Sequence, residues 1–122
     1  MKNSTEFRFC YYTSRYSETV GFYKTILQWE EFRSWDGGDC QKGTIFRSPN
    51  SAGMIEIEEG TETSIIGGEL YIEVEDVDAW YDLAVRKNVT IIRPLENTSY
   101  GHRSFKFSDP NGLVIGLFIY SP

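Results

Sequence analysis

One order of elements is written twice along this chain, and that internal repeat restricts the fold more than any single motif does. Phe46-Arg47-Ser48-Pro49-Asn50 followed by Met54-Ile55-Glu56-Ile57 parallels Phe107-Ser108-Asp109-Pro110-Asn111 followed by Val114-Ile115-Gly116-Leu117. Around each copy the hydrophobic pattern reads β-α-β-β-β. The expected class is α+β, one domain over residues 1–122, with module one at 7–59, a connector at 60–68 and module two at 69–120. A ferredoxin-like βαββαβ domain would leave two strands unused.

The elements follow from period and punctuation. Phe7 to Thr13 is aromatic-rich and suits a strand. Tyr16, Val20, Tyr23 and Leu27, with Ile26 beside them, recur at helical spacing, and Ser14 or Ser17 can cap the start. Trp29 to Trp35 reads as a strand, ended by the turn Asp36-Gly37-Gly38-Asp39. Further strands are expected at Gly43 to Arg47 and Met54 to Glu58, with a loop from Ser48 to Gly53 between them. In the second half Glu69 to Glu75 alternates as a strand should. Asp76 caps a helix to about Lys87, with Val77, Trp80, Leu83 and Ala84 on its apolar side. Asn88 falls where a left-handed residue ends a helix. Val89 to Arg93, Arg103 to Phe107 and Leu113 to Tyr120 supply the last strands. The connection Pro94 to Gly101 is long for a hairpin and is expected to arch over a site.

Composition excludes more than it identifies. With 18 Asp+Glu against 12 Lys+Arg the formal charge is −6, which disfavours nucleic acid or an anionic membrane as partner. No apolar stretch is long enough to span a bilayer. The N-terminus has no basic segment followed by an apolar run, so no signal peptide is expected and the cytoplasm is the expected compartment. Cys10 and Cys40 are unpatterned; Cys10, inside an aromatic strand, reads as a buried free thiol. A single histidine, His102, excludes within one chain any metal site needing two imidazoles.

Three stretches carry a resemblance. They are Phe22-Tyr23-Lys24-Thr25-Ile26-Leu27 and Val74-Glu75-Asp76-Val77-Asp78-Ala79-Trp80-Tyr81, and then the run from Tyr100 through Asp109-Pro110-Asn111-Gly112. With the repeat, these resemble the vicinal oxygen chelate superfamily of glyoxalases, extradiol dioxygenases, and fosfomycin- and bleomycin-resistance proteins, from Phe7 to Tyr120. The resemblance implies paired β-α-β-β-β modules forming a curved, cup-like mixed sheet with helices outside and ligand inside. It also implies a homodimer. Enzymes of the family hold a divalent metal at positions taken here by Arg8, Glu56, Glu69 and Gly116. Arg8 is a permanent cation and Gly116 has no side chain. A metal cofactor is therefore the less favoured expectation, and no cofactor is the favoured one.

If Arg8 faces the cup, strand alternation brings Cys10 and Tyr12 with it, Met54 and Glu58 with Glu56, and Tyr71 and Glu73 with Glu69. Ser104, Lys106 and His102 share a face, as do Val114, Gly116 and Phe118. The expected ligand-binding set is Arg8, Tyr12, Trp35, Met54, Glu56, Glu69, Tyr71, Tyr100, His102, Ser104, Lys106 and Phe118. Its aromatic lining with excess carboxylate suits a planar or cationic small organic molecule, as in the metal-free grooves of the bleomycin-resistance branch. The expectation is thus a binder, serving sequestration or resistance. The alternatives are a metal-dependent lyase or isomerase, and a metal-independent enzyme with Glu69 or His102 as base. Plainer readings stand beside these: Arg8, Glu56 and Glu69 as a buried ion network, the aromatics as core, Trp35 as a rim or dimer contact, and His102 as a solvated surface group.

Overall fold

The computed structural model describes residues 6–39, 41–62 and 64–121. The chain divides into two compact units, Met1–Thr63 and Ser64–Pro122. The first contains β1 (Arg8–Thr13), helix α1 (Tyr16–Gly21) running on as a π-helix (Phe22–Ile26), β2 (Glu31–Asp36), β3 (Lys42–Arg47) and β4 (Met54–Glu59). The second contains β5 (Glu69–Glu73), α2 (Val77–Arg86), β6 (Thr90–Asn97), β7 (His102–Ser108) and β8 (Val114–Tyr120). Each unit builds a four-stranded sheet, in the orders β1-β4-β3-β2 and β5-β8-β7-β6. In both, the first and last strands pair in parallel and the other pairings are antiparallel. The repeat read from the sequence is therefore a repeat of topology.

In the first unit, one face of the sheet is closed by the helix. Tyr23, 0% exposed, meets Trp29 at 5.1 Å and Phe46 at 5.8 Å between ring centroids. The hydroxyls of Tyr16 and Thr44 share a 2.6 Å hydrogen bond across the same layer. Burying a side chain of this size contributes about 1.5–3 kcal/mol, so this aromatic layer anchors the unit. The helix departs from expectation at both ends. Neither Ser14 nor Ser17 caps it: Arg15 is the N-cap residue and no side chain closes the helix end. Instead Thr13 Oγ1 accepts from the Arg15 amide at 2.9 Å. At the far end the Leu27 amide donates to the Phe22 carbonyl at 2.9 Å, the π spacing, before Gln28 turns left-handed at φ 59°. Trp29 packs on Tyr23 ahead of β2 rather than starting it.

In the second unit Asp76 caps α2 as expected, its carboxylate accepting from the Ala79 amide at 3.0 Å, and Asn88 ends it at φ 57°. Val77 and Ala84 bury against the sheet, and Tyr81 meets Phe105 edge-on at 5.1 Å. Asp109 is buried and accepts from the amides of Asn111 and Leu113 at 2.8 and 3.0 Å, so the Asp-Pro-Asn-Gly turn is held from inside. Gly112 sits there at φ +86°, and its counterpart in the first repeat, Ser51, adopts φ 59° without a glycine. The expected arch from Pro94 to Gly101 is shorter than read, because β6 continues to Asn97. As an edge strand beside β7 alone, it tolerates the missing amide of Pro94.

Candidate functional site

Each sheet has one face against its helix and one open face, and parity places the expected residues on the open faces. On the first, β1 sets Arg8, Cys10 and Tyr12 opposite Met54, Glu56 and Glu58 of β4. Glu56 is only 8% exposed, and the Arg8 guanidinium donates to its carboxylate at 2.6 Å while also binding Glu6. The Cys10 thiol donates to Glu58 at 3.5 Å. The interaction between the side chains of Glu56 and Glu58 lowers the pKa of Glu56, aided by Arg8, and raises that of Glu58. Desolvation first, and the negative field of Glu56 second, push the Cys10 thiol up to about 12. The field of Glu58 raises the phenol of Tyr12.

Cys10 corrects one expectation: the residue is exposed, not buried, because β1 is an edge strand and its side chain lies on the open face. It is a free thiol, and Cys40 lies outside the described residues. Trp35 serves a structural end on this face. Its indole covers Gly43, where a Cβ would fall 2.2 Å from the ring, so glycine is required beneath it.

On the second open face, β5 presents Glu69, Tyr71 and Glu73 opposite Val114, Gly116 and Phe118 of β8. Lys106 of β7 lies opposite Gly116 and donates to both oxygens of Glu69, at 3.1 and 3.4 Å. The Tyr71 hydroxyl donates to the same carboxylate at 3.3 Å, and Lys106 stands 5.4 Å from the Tyr71 ring centroid. Hydrogen bonding to Tyr71 and then to Glu69 raises the pKa of Lys106. The Tyr71 ring occupies the space over Gly116, where a Cβ would come within 2.9 Å of two ring carbons. Ser104 receives Arg93, whose guanidinium reaches its hydroxyl at 2.6 Å and its carbonyl at 3.2 Å. Arg93 was not among the expected site residues. Two register shifts in β6, either side of it, carry it onto the open face opposite Lys106.

His102 is half-buried rather than a solvated surface group. Its ring stacks on Phe118 at 4.4 Å and 16°, with Tyr120 at 5.1 Å and Tyr100 at 5.3 Å, both edge-on. Its Nδ1 is buried without a hydrogen-bond partner. Tyr100, on the turn before β7, thereby joins the aromatic cluster.

The donor set does not fit the family's metal. Of its four positions, Arg8 and Gly116 offer no ligand atom, Glu56 is held by Arg8 and Glu69 by Lys106. Among the described residues one group, Cys10, Glu56 and Glu58, places three ligating atoms within 4.8 Å of one another. A cation there would share Glu56 with Arg8, and gaining the sulfur as ligand needs deprotonation of a thiol whose pKa is near 12.

Solved structures share this architecture. TioX from Micromonospora sp. ML1 superposes with a TM-score of 0.74 at 14% identity, covering 98% of this chain and 99% of its own. TnmS3, an antibiotic-binding protein from Streptomyces sp. CB03234, gives 0.76 at 21% identity, covering 100% and 98%. A lactoylglutathione lyase from Agrobacterium tumefaciens gives 0.70 at 16% identity, covering 91% and 90%. None of the curated proteins compared with the chain matches it. The sequence profile of one family matches residues 7–117, nearly the whole of both modules, and the chain belongs to that family, the Glyoxalase/Bleomycin resistance protein/Dioxygenase superfamily.

Proposed function

We propose that this protein binds a small aromatic or cationic organic molecule without a catalytic metal, acting as a cytoplasmic, homodimeric sequestering protein. The observation that carries the reading is the occupancy of the family's carboxylate positions by resident cations: Arg8 on Glu56 at 2.6 Å and Lys106 on Glu69 at 3.1 Å. A glyoxalase-type isomerisation needs a Lewis acid and a carboxylate free to move the proton. Here Gly116 offers no acid or base, and Glu69 is already paired with an ammonium. What the open faces do offer is aromatic area, in Tyr12, Tyr71, Tyr100 and Tyr120, all exposed. Such rings hold planar ligands by stacking and cations by their quadrupole. The antibiotic-binding relative TnmS3 supports the same direction.

A screen of planar neutral and cationic compounds by intrinsic tryptophan fluorescence, with Trp35 reporting from the first open face, tests the reading. Saturable quenching or enhancement by one chemical class is the expected result. A library of several hundred such compounds without any response refutes it.

A further inference from the structure

Among the described residues, the charged side chains that the strands β5 to β8 place on the second open face are matched with one exception. Lys106 takes Glu69, and Arg93 takes Glu96 at 3.0 Å as well as Ser104. The side chain of Glu73, exposed at the end of β5, makes no ion pair and no hydrogen bond with any described residue. Its register partner is Phe118, so the two side chains point the same way from neighbouring strands, whose backbones lie about 4.8 Å apart. Phe118 is the floor of the four-ring cluster: it is 9% exposed, covered by His102, and met edge-on by Tyr120 at 5.3 Å. The outer rings are open, Tyr100 at 63% and Tyr120 at 65%.

A carboxylate without a partner, on the same sheet face as an aromatic cluster whose outer rings are exposed, discriminates among ligand chemistries. A hydrated metal ion gains nothing from the rings, an anion is repelled by Glu73, and a neutral aromatic leaves the carboxylate unused. An organic ammonium uses both, its charge facing the carboxylate and its polarised C–H groups facing the rings. We infer that Glu73, with Phe118 and Tyr120, forms a subsite for the ammonium group of an amine-bearing organic ligand, walled by His102 and Tyr100. This inference rests on the small-molecule-binding reading and names the ligand class for its second face.

The test is amide NMR of the ¹⁵N-labelled full chain titrated with benzyltrimethylammonium, benzyl alcohol and benzoate, one ring carrying three charges. Saturable shifts centred on Glu73, His102, Phe118 and Tyr120 are expected for the cation, at an affinity at least about tenfold above the alcohol, a gap of 1.4 kcal/mol. Benzoate should leave those amides unmoved. Glu73→Gln should lose most of the preference for the cation while keeping the parent spectrum elsewhere, and Glu73→Asp should keep part of it. Equal affinity for cation and alcohol, shifts confined to other residues, or an unchanged cation titration in Glu73→Gln overturns the subsite. Such results leave the broader reading standing if the alcohol or other aromatics still bind. Failure of every aromatic compound at either face ends both.

Discussion

Cys10 offers a direct check on how the carboxylates of the first open face are organised. Its thiol is exposed, yet desolvation and the two neighbouring glutamates raise its pKa from 9.0 to about 12. At pH 8 such a shift lowers the thiolate fraction by about a thousandfold relative to an ordinary cysteine. A more basic thiolate is also a better nucleophile, and with a Brønsted slope of about 0.45 this returns roughly twentyfold. Alkylation at pH 8 should therefore run between about fortyfold and about a thousandfold slower than in an unstructured peptide. Iodoacetamide, being neutral, is not itself repelled, and a Cys40→Ser background leaves a single reporting thiol. In the parent, the rate should keep climbing from pH 8 to pH 11. Glu58→Gln replaces a carboxylate acceptor by a weaker amide one and removes a negative charge, so its rate at pH 8 should rise several-fold. It should not reach the peptide rate, because desolvation, the largest cause, remains. The sign carries to stability: the raised thiol pKa costs nothing below pH 9 and destabilises progressively as pH rises from 9.0 toward about 12. A parent whose alkylation profile bends near pH 9 at the rate of a free peptide would refute the hydrogen-bonded carboxylate–thiol cluster.

Other consequences are measurable on the same protein. Gly43→Ala places a Cβ 2.2 Å from the Trp35 indole, so the ring must leave its seat, at about 1–3 kcal/mol and with a changed tryptophan emission. An unchanged emission spectrum would show that Trp35 does not rest on Gly43. Asp76→Ala removes the side-chain acceptor at the start of α2 and should cost about 0.5–2 kcal/mol in chemical denaturation, with Asp76→Asn losing less. Asp78 has its carboxyl held below the usual range by a hydrogen bond from Arg103, at 2.7 Å. Its contribution is therefore present above the unfolded carboxyl pKa and lost as pH falls through the lower folded value. Asp78→Asn should flatten the acid limb of the melting-temperature profile, and an unaltered acid limb would remove Arg103–Asp78 from the stability argument.

What the residues disclosed in advance, and what they hid, divides along physical lines. Period and parity are local properties of a strand, and they grouped Arg8 with Cys10 and Tyr12, Met54 with Glu56 and Glu58, Ser104 with Lys106, and Phe118 with Gly116 on shared faces, which the register bears out. The Asp76 cap was legible for the same reason, since its side chain bonds an amide three residues away. Arg93 was illegible because two register shifts in β6 break the parity that an unbroken strand would obey. Pro94 also argued for a strand end, which an edge position overrides. Cys10 was misjudged because an aromatic strand looks buried from its composition, while exposure depends on which face is covered. Gly116 read only as a missing ligand. That it is the floor for the Tyr71 ring depends on a register pairing across the sheet, which no local pattern contains.

The claim at the centre is that Arg8 and Lys106 neutralise the carboxylates at which the family's enzymes hold a metal. Elemental analysis of the purified protein, followed by calorimetric titration with zinc, nickel and manganese, tests it most directly. A metal-free site predicts no stoichiometric content and no tight one-to-one isotherm, with Glu56→Gln indistinguishable from the parent. A tight one-to-one isotherm that disappears in Glu56→Gln would contradict it.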